Sequence, residues 1–280
     1  NKIRWEACVM NVKELRPIII GGGNLGGAVA RGLFRAGVRP VVVQHRGAKF
    51  DALAGDGVET VATLAEVAPR GSGPVFIALK PWLVESYCAE NAALLAGRAL
   101  ASCAALVSLE LLEKAAPNAR WGRVMPNIAS AVGAGFTGIV RGGWTEAEFE
   151  EVRGLCALFG DAVAVSEKDL DGVVCLSGSA LAYVLELLEG FIQGGLAVGM
   201  KGDLSLRAGV ATLVGAAELV RQKNVHPAVL KDAVCTPGGT TIAGLRALQK
   251  AGFRSAFVEA LVATAEKAQA GAAAFEKTPR

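Results

Sequence analysis

Two stretches of this chain hold residues whose types and spacing can do chemistry. The first is Ala233–Leu248, AVCTPGGTTIAGLRAL. Thr236, Pro237, Gly238, Gly239, Thr240 and Thr241 make a tight loop, and Ile242, Leu245 and Leu248 then fall on one helical face. A Pro-Gly-Gly turn feeding a helix leaves backbone N–H groups unpaired at the positive end of the helix dipole. That corner suits a phosphate or a carboxylate, and two threonine hydroxyls add donors for a small polar ligand. The same residues also fit a plain helix N-terminus capped by Thr240 or Thr241. The second stretch is Ile18-Ile19-Ile20 followed by Gly21-Gly22-Gly23-Asn24-Leu25-Gly26 and an alanine-rich helix. This is GxGxxG at a strand-to-helix turn, where a dinucleotide pyrophosphate meets backbone amides.

The end of the second strand separates the two nicotinamide cofactors. An acid there would bind a ribose 2′-hydroxyl, but this chain has Gln44, His45 and Arg46, then Lys49, and no acid before Asp51. Arg46 can pair with a 2′-phosphate, because a guanidinium matches phosphate geometry. The pattern predicts NADPH over NADH. Ala78-Leu79-Lys80-Pro81 closes a strand beside the ligand crevice of an open α/β sheet. Lys80 either faces the cofactor or snorkels at the surface, and Pro81 starts the next helix.

Other chemistry is thinly provided for. Only His45 and His226 occur, so a His-rich metal site is excluded, and the sequence predicts no metal. Cys8, Cys88, Cys103, Cys156, Cys175 and Cys235 lie far apart without a CxxC pair, and read as reduced, packed thiols. Net charge is +3, with both signs mixed along the chain, which argues against nucleic acid. The longest apolar stretch, Val173–Met200, is interrupted by Glu186, Glu189 and Gln193; it reads as a core helix and not a membrane span. Asn1–Arg16 is polar and mixed, with no signal or transit pattern, and is read as an N-terminal extension to a cytoplasmic protein.

The elements that must position these residues divide the chain in two. Strand-like runs at Pro17–Gly21, Pro40–Gln44, Pro74–Leu79, Ala99–Ser102 and Arg120–Val124 alternate with amphipathic stretches at Leu25–Ala36, Trp82–Leu95 and Leu109–Ala115. This alternation predicts a parallel sheet covered on both faces. Gly133–Arg141 and Ala162–Ser166 extend one edge, around a helix Thr145–Leu158 that opens with a Thr145/Glu148 capping box. From Glu167 the strand signals stop, and Asp169–Gly199, Ser205–Lys223, Ala228–Val234, Thr241–Lys250 and Ser255–Ala273 carry helical periodicity. The expectation is a dinucleotide-binding domain over 17–166 and a helical domain over 167–280. Gly190, Gly194, Gly195 and Gly199 would let the helices of the second domain approach closely in a dimer core.

Taken together, GGGNLG with its helix, ALKP at 78–81, RVMPN at 123–127, LSGS at 176–179 and HPAVLKDAVCTPGGTTIAGLRALQKAGFRSAFVEA at 226–260 resemble the Δ1-pyrroline-5-carboxylate reductase family. The resemblance runs from about Pro17 to Ala270. It implies an α/β Rossmann-type N-terminal domain and an all-α dimerisation domain. It also implies reduction of pyrroline-5-carboxylate to L-proline, usually with NADPH, in homodimers or rings of dimers. By the same resemblance Gly21, Gly23, Asn24, Leu25 and Gly26 hold the pyrophosphate, and Ala78, Lys80 and Pro81 line the nicotinamide ribose. Met125, Pro126 and Asn127 lie near the nicotinamide, with Asn127 also toward the substrate. Gly239, Thr240 and Thr241 bind the substrate, its carboxylate on backbone amides and its ring nitrogen on the Thr241 hydroxyl. The loop comes from one subunit and the cofactor from the other.

The chain departs from the family pattern at several places. SGSGPAY is here SGSALAY, with Ala180 and Leu181; MPNTP is MPNIA, with Ile128; KPQ ends in Trp82; SIAAG is SCAAL, with Leu106. These changes leave open a reductase of the same fold for a different cyclic imino acid, or an NADPH-binding relative without catalysis. A β-hydroxyacid dehydrogenase is disfavoured, because Asp169–Glu189 holds no lysine.

Overall fold

The computed structural model describes residues 12–277. Its contacts divide the chain into two compact units, residues 1–178 with 265–280, and Ser179–Thr264. The change from strand to helix comes slightly earlier, between Ala164 and Glu167.

The first unit is a doubly wound α/β structure. Its strands are β1 (Ile18–Ile20), β2 (Val41–Val43), β3 (Glu59–Val61), β4 (Val75–Ile77), β5 (Ala99–Ser102), β6 (Arg120–Met125), β7 (Gly135–Val140) and β8 (Gly160–Ala164). The helices between them are α1 (Asn24–Arg35), α2 (Ala48–Gly55), α3 (Pro81–Glu90), α4 (Ala92–Leu95), α5 (Leu109–Ala115) and α6 (Glu146–Ala157). The sheet order is β3-β2-β1-β4-β5-β6-β7-β8. The chain therefore reverses its direction of travel across the sheet at β1/β4, the point where α/β sheets open a ligand crevice.

Ile18-Ile19-Ile20 and Val41-Val42-Val43 are continuous β-branched runs because both faces of the sheet are covered. Ile19, Val42 and Phe76 pack on one side with Val29, Leu33, Leu53, Val152 and Leu155. Ile18, Ile20, Val41, Val75 and Ile77 pack on the other with Val84, Cys88, Leu95 and Leu112. The strands β1 to β6 are parallel as expected, and the added edge departs from that order: β6 and β7 run antiparallel, with Arg123 opposite Val140 and Met125 opposite Gly138. The connection over residues 126–134 is too short for the crossover a parallel pair needs. The helix expected over 82–95 is interrupted at Asn91, whose Nδ2 donates back to the Tyr87 carbonyl at 2.9 Å. The Thr145/Glu148 capping box forms as expected. Of the stretch read as an extension, Val12 packs into the core and Arg16 bridges Ser72, while residues 1–11, with Cys8, lie outside the described residues. The five described cysteines are free, and burial pushes the Cys88 thiol up to about 11 and that of Cys103 up to about 12.

Helix α7 (Glu167–Val173) passes through a wide π-type turn, Val174–Ser179, into α8 (Ala180–Ala197), replacing the single helix expected over 169–199. With Ala180 and Leu181 in place of Gly-Pro, the N–H donors needed to continue a helix are kept. The second unit continues with α9 (Gly202–Lys223), α10 (Pro227–Ala233), α11 (Thr240–Lys250) and α12 (Phe253–Lys277), whose last part from Ala265 belongs to the first unit. Helices α8 and α9 touch closely where glycine permits: a Cβ on Gly195 would lie 2.0 Å from Ser205 Oγ. Gly190 and Gly194 instead border an apolar cavity of about 750 Å³ with Tyr183, Phe191, Met200 and Phe257. Glu167–Ala197 is long and apolar enough to cross a membrane by length and composition alone. Leu185, Leu196, Val198, Val210, Val214 and Val262 are exposed on this unit, the kind of apolar surface that marks an interaction face when it is contiguous.

Candidate functional site

The glycine turn is built between β1 and α1. Gly21 has φ +97°, and a Cβ there would sit 2.7 Å from the Ala78 carbonyl oxygen; its N–H donates to the Val43 carbonyl at 2.9 Å. Gly26 is packed harder still, since a Cβ on it would come within 1.9 Å of the Gly21 oxygen and 2.9 Å of Ala78 Cβ. Gly23 is the N-cap of α1 with no side-chain cap, and a Cβ on it would meet nothing within 4 Å. The first intrahelical acceptor is the Gly23 carbonyl, which takes the Gly27 N–H at 2.7 Å. Helix geometry therefore leaves the N–H groups of Asn24, Leu25 and Gly26 without intrahelical acceptors. An anion approaching past Gly23 finds these donors and the positive end of α1.

The turn opens on a cavity of about 870 Å³. Gly21, Gly23, Asn24, Leu25, Ala78, Lys80 and Pro81 line it and Gly26 does not; His45, Lys49, Thr63 and Tyr87 line it too. Lys80 is exposed at the N-cap of α3, and Pro81 takes the first helical position. The wall formed by Thr63 and the α3 face of Leu83, Ser86, Tyr87 and Glu90 was not foreseen. Its signal was the i, i+3, i+4, i+7 spacing along α3. Burial pushes the Tyr87 hydroxyl up to about 12, and that oxygen has no partner among the described residues. Glu66 is held below the usual carboxylate range, chiefly by its hydrogen bond from the Thr63 hydroxyl. The chain thus offers a cradle with open donors, basic groups and room for a dinucleotide, and these residues fit NADPH.

Arg46 is not on the cavity wall; its guanidinium lies 5.5 Å from the Phe50 ring centroid and is exposed. It is close enough to Glu66 to help lower that carboxyl. We expect Arg46→Ala to raise KM for NADPH about 3- to 30-fold more than KM for NADH, the worth of one exposed charge-assisted contact. Steady-state kinetics with both dinucleotides check this, and equal effects on the two would remove Arg46 from 2′-phosphate recognition.

Met125 ends β6 and Asn127 follows it, and both lie off that wall. Met125 packs with Val140 and Leu170. Asn127 is 8% exposed; its Nδ2 donates to the Ser177 carbonyl at 3.0 Å, while Oδ1 has no partner among the described residues. This strand end is pinned by a buried cation. Arg123 Nη1 meets Glu167 Oε1 at 3.1 Å, and the same oxygen accepts the Leu109 N–H at 2.8 Å. One carboxylate so ties β6 to the starts of α5 and α7.

The threonine loop belongs to the helical unit. His226 caps α10, its Nδ1 accepting the Ala228 N–H. Gly238 has φ +70°, and the Gly239 N–H donates to the Thr236 carbonyl at 3.0 Å. Gly239, and neither threonine, is the N-cap of α11, and no side chain caps the helix. This corrects the expected Thr240 or Thr241 cap: the Thr236–Gly239 turn fixes the chain one residue earlier than side-chain preference would place it. A Cβ on Gly239 would fall 2.3 Å from Thr236 Oγ1. Gly239 therefore shapes the corner without offering a free amide. The N–H groups of Thr240, Thr241 and Ile242 form the open first turn. Thr240 is exposed and Thr241 half-buried.

Comparison with known proteins covers both units. Residues 167–271 match a family model described as pyrroline-5-carboxylate reductase dimerisation, and residues 18–106 match one described as NADP oxidoreductase, coenzyme F420-dependent. A pyrroline-5-carboxylate reductase from Glycine max is 37% identical over 89% of this chain and 93% of its own length. One from Synechocystis sp. is 34% identical, over 90% and 96%. A solved pyrroline-5-carboxylate reductase from Coxiella burnetii superposes with TM-score 0.81 at 26% identity, covering 92% of this chain and 98% of that one. The Plasmodium falciparum pyrroline carboxylate reductase, solved with NADP bound, shares the fold with TM-score 0.82 at 24% identity, covering 93% and 99%.

Proposed function

Since the chain belongs to the pyrroline-5-carboxylate reductase family, we propose that it reduces the C=N bond of 1-pyrroline-5-carboxylate to L-proline in proline biosynthesis. NADPH is the preferred hydride donor and NADH an alternative. The observation that carries the substrate side is the uncapped corner at Gly239–Thr240–Thr241, whose donors have no side chain of their own to satisfy.

A protonated cyclic imine is already electrophilic at carbon, so the protein needs to orient, desolvate and donate hydrogen bonds more than to titrate. The N–H groups of Thr240, Thr241 and Ile242 receive the substrate carboxylate and fix the ring without a charged side chain. The Thr241 hydroxyl faces the ring nitrogen as it becomes an amine. The bound dinucleotide supplies the hydride; Gly21, Gly23, Asn24, Leu25 and Gly26 hold its pyrophosphate and Arg46 its 2′-phosphate. Ala78, Lys80 and Pro81 border the nicotinamide ribose. Met125 and Asn127 would stand at the nicotinamide end, where Asn127 Oδ1 is an acceptor without a partner among the described residues.

The helical unit mediates homo-oligomerisation, as its dimerisation-model match and exposed apolar faces indicate. The functional division is 17–166 for the dinucleotide and 167–280 for substrate and assembly, behind the 1–16 segment. We place the protein in the cytoplasm as a dimer or a ring of dimers, with the loop of one copy serving the dinucleotide of the next.

A second reading, reduction of a different cyclic imino acid, is favoured by Ile128 and Trp82, which are 54% and 68% exposed on the dinucleotide-binding unit. Purified protein offered NADPH or NADH with pyrroline-5-carboxylate or its six-membered homologue, followed at the nicotinamide absorbance, separates the readings. Faster turnover of the five-membered ring with NADPH is expected. A preference for the larger ring would transfer the assignment, and no oxidation with either would leave a dinucleotide-binding protein without this catalysis.

A further inference from the structure

Gln44, at the carboxyl end of β2, is joined to the glycine turn. Its Oε1 accepts the Gly22 N–H at 2.8 Å, and its Nε2 donates to the His45 carbonyl at 3.3 Å. Its backbone N–H donates to the Val61 carbonyl at 2.9 Å, so the side chain springs from an anchored point. Gly22 is itself confined, since a Cβ there would meet Leu53 Cδ1 at 2.6 Å and Gln44 Oε1 at 3.3 Å. Gln44 lines the dinucleotide cavity together with His45 and Lys49. We propose that Gln44 is a positioning and specificity-determining residue: its neutral carboxamide holds the glycine turn through Gly22 while keeping negative charge away from the phosphorylated ribose. The proposal rests on the dinucleotide-site reading given above.

The argument is one of atom types. The Gly22 N–H requires an acceptor, and either an amide or a carboxylate oxygen supplies one. The second position of the head group faces a carbonyl oxygen, which accepts an N–H but repels a carboxylate oxygen. Only the amide satisfies both contacts. A carboxylate at this place would also add a full negative charge on the β2 side of the wall, beside His45 and Lys49 and with Arg46 nearby, where the acid already lining the cavity, Glu90, stands on the α3 side. A phosphate monoester of charge about −1.5 to −2 would feel that charge, whereas a free 2′-hydroxyl would not be repelled by it. The Glu66 carboxylate, off the cavity wall, is already engaged by the Thr63 N–H and hydroxyl.

The test measures Kd for NADPH and for NADH by quenching of nicotinamide fluorescence in the full-length wild-type protein and in Gln44→Glu, Gln44→Ala and Gln44→Met. Gln44→Glu is expected to shift the ratio of the two constants against NADPH by on the order of tenfold or more. Gln44→Ala and Gln44→Met free the Gly22 N–H without adding charge, so both dinucleotides should weaken together and the ratio should stay within about twofold of wild type. A ratio unmoved by Gln44→Glu, or moved as far by Gln44→Ala, overturns the role of Gln44. Wild-type protein that binds neither dinucleotide overturns the site reading beneath it. The ratio is taken within one variant, so partial unfolding, which lowers binding of both, does not mimic the expected shift.

Discussion

Gly23→Ala is expected to abolish most dinucleotide binding while leaving the fold intact. The native Gly23 backbone has φ −70° and ψ −166°, which alanine adopts freely, and the new Cβ would touch no protein atom within 4 Å. The structural cost is that of alanine at an N-cap, about 1 kcal/mol or less. The methyl group does enter the space through which an anion reaches the Asn24 and Leu25 amides. Affinity for NADPH should fall by at least about tenfold, roughly 1.4 kcal/mol or more. Gly26→Ala makes the contrast. There the Cβ overlaps the backbone oxygen of Gly21, which no rotamer change relieves, so both affinity and melting temperature should drop. Melting curves beside fluorescence titrations decide the matter. Wild-type affinity in Gly23→Ala would mean that the pyrophosphate does not cross this turn.

Thr241→Ala should cut kcat/KM for the imine by about 10- to 100-fold, the worth of a hydrogen bond to a charged nitrogen at roughly 1.5–3 kcal/mol. The Kd for NADPH should stay within about twofold, because Thr241 lies on α11 and not on the glycine turn. Thr241 does not cap its helix, so the loss would not be a cap lost. Thr241→Ser keeps the hydroxyl and should recover most of the rate. Equal losses in the alanine and serine variants would point to packing of the threonine methyl instead.

Much of this was legible in the residues, for identifiable reasons. β1 and β2 are runs of three β-branched residues between turn formers, and only a twice-covered strand tolerates such runs. GGGNLG announced its own turn, because Gly21 and Gly26 occupy places where a Cβ meets backbone. β3 went unnamed because Glu59-Thr60-Val61 is short and only Val61 is buried. The direction of β7 could not be read, since side-chain alternation is the same for parallel and antiparallel strands; the short 126–134 connection was the available clue. The N-cap at Gly239 was missed because residue preference favours threonine, whereas the Thr236–Gly239 hydrogen bond sets the register. Gln44 was noticed for what it is not, an acid. Its bond to Gly22 joins residues 22 apart and has no trace in local pattern.

The ends of the eight-stranded sheet bear on how copies of this chain can meet. β3, at one end, is three residues long and carries Glu59, which is paired with Arg16 and with Arg70 at 3.8 Å. β8, at the other, exposes Asp161 along a strand with no buried residue. Unpaired strand edges are the usual template for runaway β-association, and shortness and charge are what blunt them. A reductase with such an abundance of exposed leucine and valine would be hazardous if its sheet were also adhesive. Here most of the exposed leucine and valine lies on helices, whose side-chain packing can be saturated by a closed symmetric assembly, and Val163 on β8 sits two residues from the charge of Asp161.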